Sequence, residues 1–101
     1  MPLNVLERMT GIKERRFWSG DTQPSDVAAE VAEKVIQKSG LSKSDIGAII
    51  STSITKDFIE PSIASIVHGN LKLAPECINF DVGSACLGFL NGMQVAASMI
   101  E

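Results

Sequence analysis

Few residues of this 101-residue chain combine a reactive type with a setting suited to chemistry. Cys86 has the most suggestive surroundings. Ile78, Phe80 and Val82 alternate with Asn79 and Asp81, which is the period of a strand. Gly83, Ser84 and Ala85 are small enough for a tight reversal, and an apolar helical run begins at Leu87. Cys86 is therefore expected at the first turn of a helix. Unpaired N–H groups and the positive end of the helix dipole stabilise an anion there. A thiolate so placed is a nucleophile. Gly88 leaves room for another backbone or a substrate to come close.

Other candidates are weaker. Arg15 and Arg16 are either a solvated surface pair or an anion site for a phosphate-bearing ligand. His68 is the only histidine, and on an amphipathic helix it reads as a surface or satisfied residue. His68-Gly69-Asn70 sits at a helix end, where Gly and Asn are ordinary stop signals, so it is no partner for Cys86. Cys77 reads as a small apolar residue opening a strand. Thr52, Ser53 and Thr55 suit local backbone hydrogen bonds.

The elements that must position Cys86 follow from periodicity. Leu3, Val5 and Leu6 suggest a short helix ended by Thr10-Gly11, and Ile12 to Trp18 an edge strand or extended segment. Ser25 is expected to cap a helix running to Ser39, with Gly40 just beyond it. Val27, Val31 and Val35, beside Ala28, Ala32 and Ile36, form its apolar stripe. Ser42 to Asp45 matches a capping box. Ile46 to Ile54 is β-branched and uncharged, like a strand covered on both faces of a parallel sheet. The loop from Thr55 to Glu60 follows its carboxyl end, where ligand sites of open α/β sheets form. Pro61 and Ser62 open a helix buried through Ile63, Ile66, Val67 and Leu71. The last helix is apolar around most of its circumference, the pattern of a helix buried on all sides. The 101 residues hold too little protein to bury it, so it is expected to face a partner or the remainder of a longer chain. Strands and helices alternate with crossover-length connections, giving an α/β fold with a mostly parallel sheet.

Composition narrows the function. Hydrophobic residues are 45% of the chain, enough for a core, and the net charge of −3 speaks against a nucleic-acid partner. Two cysteines without a leader pattern fit a reduced, cytoplasmic setting rather than a disulfide framework. Apolar runs are interrupted by Gly, Asn or Gln, so none reads as a membrane span. Both ends are abrupt, and the last helical pattern has no stop signal, so the chain is expected to be a piece of a longer protein.

The assembled pattern resembles the thiolase-like condensing enzymes of the β-ketoacyl-acyl-carrier-protein synthase III type. Thr10-Gly11-Ile12-Lys13-Glu14-Arg15-Arg16, Asp45-Ile46-Gly47, Pro61-Ser62, Phe80-Asp81-Val82 and Ser84-Ala85-Cys86-Leu87-Gly88-Phe89 carry the resemblance. It implies that residues 1–101 are the N-terminal part of a thiolase-like fold, with the nucleophile on a buried helix and the C-terminal half of the fold absent. Cys86 matches the acyl-accepting nucleophile, and its own N–H one oxyanion donor. The substrate is then an acyl-CoA or acyl carrier protein thioester, with no covalently bound cofactor and no metal. Arg15, Arg16 and Trp18 become candidates for contacts to the CoA nucleotide. The family's nucleotide-binding Trp and Arg correspond to Val5 and Met9 here, leaving Arg8 or Trp18 for that contact. The family's catalytic His and Asn match nothing in the chain, which implies that it is catalytically incomplete.

Glu60 refines the resemblance. In the synthase III type the residue before the matching proline is apolar or aromatic and reaches into the neighbouring subunit's acyl pocket. A glutamate there resembles the branch that joins two acyl-CoA chains head to head in olefin biosynthesis, with the carboxylate as base. The alternative is a loop residue favouring a helix N-terminus. The resemblance also implies a homodimer paired through the strand 78–82. Two further readings remain open. One is a non-catalytic α/β dimerisation module; the other is a cysteine hydrolase or redox protein, which the lack of a base and of a Cys-x-x-Cys motif disfavours.

Overall fold

The computed structural model describes residues 4–100. Helix α1 spans Val5–Thr10, α2 Pro24–Ser39, α3 Ile63–Leu71 and α4 Gly88–Ile100; strands β1 and β2 are Ala48–Ser51 and Ile78–Asp81. Single 3-10 turns at Lys43–Asp45 and Ala85–Leu87 precede β1 and α4. The strands pair in parallel, Ala48 opposite Ile78 and Ser51 opposite Asp81. A parallel pair needs a crossover, and α3 supplies it. This is the expected α/β arrangement with a parallel sheet.

The core forms around α3. Ile63, Val67 and Leu71 recur every four residues on one face and are buried with Leu73 and Cys77. Ala28, Ala29, Ala32 and Ile36 of α2 pack on that cluster, as do Ile46 and Ile49. The valine row of α2 behaves otherwise than the stripe predicts. Val31 and Val35 are 53% and 59% exposed. The small alanines let α2 lie close against α3, and α3 covers that row alone. Gly40 ends α2 at φ +76°, a conformation open to glycine without penalty.

Several boundaries differ from expectation, each for a tertiary reason. The segment 11–19 is exposed and has no regular structure, so the described sheet has two strands and not three. β1 is four residues long, because that is the length of the partner it pairs with. α2 begins at Pro24, with Gln23 as the capping residue; Ser25 lies inside the first turn and is buried. Pro61 precedes the cap of α3, which is Ser62, whose hydroxyl accepts the Ser65 N–H at 3.1 Å. Gly69 and Asn70 continue α3 instead of stopping it. The helix runs on until Leu71 reaches the core and ends at Lys72, φ +54°. The short helix near the start is present as α1; Leu3 lies outside the described residues.

The capping box forms as expected. The Ser42 N–H donates to the Asp45 carboxylate at 2.9 Å, and the Ser42 hydroxyl adds a second bond at 3.0 Å. α4 is not enclosed within this chain. Gly88 and Gly92 are its only buried positions, and Phe89, Leu90, Met93 and Ile100 are exposed. A two-stranded sheet covers a single line of the helix.

Candidate active site

Cys86 stands where β2 hands over to α4. Val82 N–H donates to Ser51 O at 2.8 Å, which carries the β1–β2 pairing one residue past the strand. The chain then reverses through Gly83 and Ser84. Ala85 has φ +46°, the left-handed region that costs a Cβ-bearing residue about 1 kcal/mol or more. Cys86 follows in a 3-10 turn and is exposed. No acceptor among the described residues takes its N–H. The expected first turn of a helix is thus a tighter turn leading into it.

Two glycines seat α4. A Cβ on Gly88 would lie 2.6 Å from the Thr52 carbonyl oxygen, and one on Gly92 would lie 2.5 Å from Thr52 Cγ2. The room foreseen at Gly88 is used by a backbone, that of the residue just after β1. Gly92, four positions on, extends the same contact and carries no separate mark in the sequence. Across the turn, Asn91 Nδ2 donates to Ser84 Oγ at 2.6 Å, tying α4 back to the residue before Ala85.

Glu60 lies at the end of the loop between β1 and α3 and is exposed. It does not cap α3. The Ile63 and Ala64 N–H groups donate to Asp81 Oδ2 and Oδ1 at 3.0 and 2.9 Å. The next two amides donate to the Ser62 side chain and carbonyl. The first turn is fully occupied, so Glu60 makes no capping hydrogen bond to α3. No hydrogen bond joins Glu60 to Cys86 within the chain.

Two carboxylates do what the sequence did not disclose. Asp81 reads as one polar step in a strand alternation, yet its side chain, 14% exposed, receives two helix amides and lies 3.8 Å from Lys56 Nζ. Asp57 receives the Ser25 N–H at 2.9 Å and also the Ser25 hydroxyl, joining the loop to the start of α2. Their partners are backbone amides far away in the chain, and such partners leave no residue pattern.

The remaining candidates lie elsewhere. Arg15, Arg16 and Trp18 project from the irregular exposed segment, and no ion pair or hydrogen bond draws them towards Cys86. His68 Nε2 donates to Ala74 O at 3.1 Å, which accounts for it as a satisfied residue. Cys77 is buried, and burial pushes its thiol above the ordinary value. Among the described residues no group of three or more His, Cys, Asp or Glu is arranged to hold a metal. No helix of the described residues is long and apolar enough to cross a membrane. A groove of about 440 Å³ between the sheet and the last turns of α4 includes Ala48, Ile78 and Met99. It opens at the amino ends of the strands, away from Cys86.

No protein-family model matches the chain. Similar curated proteins do exist. An acyl-CoA:acyl-CoA alkyltransferase of Xanthomonas campestris is 46% identical over 98 residues, 97% of this chain. Its counterpart in Shewanella oneidensis is 35% identical over 101 residues. A beta-ketoacyl-acyl-carrier-protein synthase III of Lactiplantibacillus plantarum is 39% identical over 96 residues. The chain spans 29% of the length of each of these relatives. Solved structures of Xanthomonas campestris OleA superpose closely. A glutamate-to-glutamine variant matches 100% of this chain and 29% of its own at TM-score 0.89 and 44% identity. A cysteine-to-serine variant with bound lauric acid and lauroyl-CoA matches 97% at TM-score 0.86.

Proposed function

We propose, for a chain that by sequence and fold is part of a thiolase-like condensing enzyme, that Cys86 accepts an acyl group from an acyl thioester ahead of a Claisen condensation. The Cys86 sulfur attacks the thioester carbonyl, the bond to the donor sulfur breaks, and the donor thiolate leaves and takes up a proton. The free Cys86 N–H supports a role as one donor to the oxyanion that forms in between. Glu60 is the base in this reading: it takes a proton from the carbon next to the carbonyl of a second acyl thioester. The resulting carbanion attacks the Cys86-bound acyl carbonyl, a carbon–carbon bond forms, and the Cys86 thiolate is released.

One observation carries the Glu60 assignment. The amides it would otherwise cap bond to Asp81 and Ser62, so the carboxylate is exposed and makes no capping hydrogen bond. Its separation from Cys86 in sequence also equals that between the glutamate and the cysteine replaced in two OleA structures. This favours an acyl-CoA:acyl-CoA condensation over the carrier-protein reaction of the synthase III relatives. Arg15, Arg16 and Trp18 are the contacts proposed for the CoA nucleotide, on a cytoplasmic protein of long-chain or fatty-acid metabolism. No counterpart of the family's His and Asn occurs among these residues, so acylation lies within this chain's reach and condensation does not. The working unit is a homodimer, with Glu60 delivered to the neighbour's cysteine. The outer edge of β2 has no strand partner among the described residues, which suits pairing with a second copy. The same free edge, with the uncharged α4, supports the second reading, a dimerisation module without catalysis.

Incubation with a long-chain acyl-CoA tests the proposal. Release of CoA matched by a thioester on the Cys86 peptide supports it. A Cys86 that iodoacetamide alkylates but acyl-CoA leaves untouched favours the module.

A further inference from the structure

We infer that Asp81 is a positioning residue whose carboxylate fixes the Glu60 segment relative to the Cys86 turn. The inference rests on reading Glu60 as a base delivered to the partner's cysteine: Asp81, which holds its segment, stands on the strand whose open edge is proposed to pair with the second copy. The stretch from Thr52 to Ser62 has no regular structure, so no ladder of backbone bonds holds Glu60 in place. Asp81 grips both flanks of that stretch. Before Glu60, Lys56 Nζ lies 3.8 Å from Asp81 Oδ2. After Glu60, the Ile63 and Ala64 N–H groups donate to Oδ2 and Oδ1. Asp81 is itself the last residue of β2, paired with Ser51, and the chain leads from it through the reversal directly to Cys86.

The consequence is mechanical. Hydrogen bonds to an ionised, mostly covered carboxylate are stronger and more directional than neutral ones. The two helix amides tie the flank after Glu60 to the strand residue that leads to Cys86, and the part-exposed Lys56 ammonium adds a weaker attraction on the flank before it. A cap alone requires the two amides; the additional Lys56 contact closes the loop from its other side. Asp57, next to Lys56, anchors the same loop to Ser25 and limits its drift away from the sheet.

Pulsed electron spin resonance between spin labels on Cys86 and on Glu60→Cys, in a chain also carrying Cys77→Ala and diluted with excess unlabelled chain so that a dimer holds one labelled copy, reads this directly. With Asp81 intact the distance distribution is narrow. Asp81→Ala broadens it about twofold, the mark of a locally released segment. Asp81→Asn keeps one acceptor oxygen but loses the charge facing Lys56, and gives an intermediate width. Leu71→Ala weakens the core without touching this clamp and leaves the distribution narrow. An unchanged width in Asp81→Ala, or equal broadening in Leu71→Ala, overturns the inference. Should Asp81→Ala fail to fold, an unchanged width in Asp81→Asn overturns it. Because the readout is a distance, a Cys86 that refuses acylation refutes the proposed function and leaves this result standing.

Discussion

At Gly88 the placement of Cys86 depends on a missing methyl group. A Cβ there meets the Thr52 carbonyl oxygen, a backbone atom with nowhere to go, whereas one on Gly92 meets a threonine methyl that can rotate aside. Gly88→Ala is therefore expected to cost about 1–3 kcal/mol in denaturant unfolding, and Gly92→Ala less. Equal costs would contradict the seating of α4 on Thr52. Cys77 gives a pH prediction. Burial raises its thiol, so its contribution to stability is complete below the ordinary thiol range and is lost as pH rises through the raised value. Stability measured against pH should fall less steeply on the alkaline side in Cys77→Ala. Cys86 was legible because small residues between a strand and a helix announce a sharp turn. Asp81 and Asp57 were not, because a carboxylate bonded to distant backbone amides looks in sequence like any surface acid.

Among the elements, α2 and α3 separate what periodicity can and cannot reveal. Both helices were readable from their four-residue spacing. Which row of α2 faces inward was not, since alanine and valine rows lie side by side and the choice depends on how closely α3 approaches. The two rows give opposite predictions. Leu71→Ala, in the core, should cost about 2–5 kcal/mol, and Val35→Ala, on the open row, within about 0.5 kcal/mol. A large loss at Val35 would mean that the valine row is covered. The turn before β1 has its own pH signature. The Ser42 N–H, and then its hydroxyl, hold the Asp45 carboxyl below the usual value. That support is present above the ordinary carboxylate range and fades as pH falls through the lowered value, so Asp45→Asn should flatten the acid limb of the stability profile. Of the two readings for Ile12 to Trp18, the irregular segment and not the edge strand is found: residues 11–19 do not join the open edges of the two-stranded sheet. An extended-looking sequence forms a strand only beside a partner.

For the whole molecule, the sequence marked α4 as a helix to be covered on all sides, and the chain covers one line of it. Phe89, Leu90 and Met93 stay exposed on a helix that carries no charge. Surface of that kind marks contact with other protein. The homodimer in the proposed function predicts twice the monomer mass by light scattering, and a monomer across the accessible concentration range would count against it. The central claim remains the one at Cys86, and acylation from a long-chain acyl-CoA, followed by mass spectrometry in three proteins, tests it most directly. The account predicts a single acyl group on Cys86 in the unaltered chain, the same adduct in Glu60→Gln, whose base acts only in the later step, and none in Cys86→Ala. An adduct that survives Cys86→Ala, or no adduct on a Cys86 that iodoacetamide readily alkylates, would contradict it.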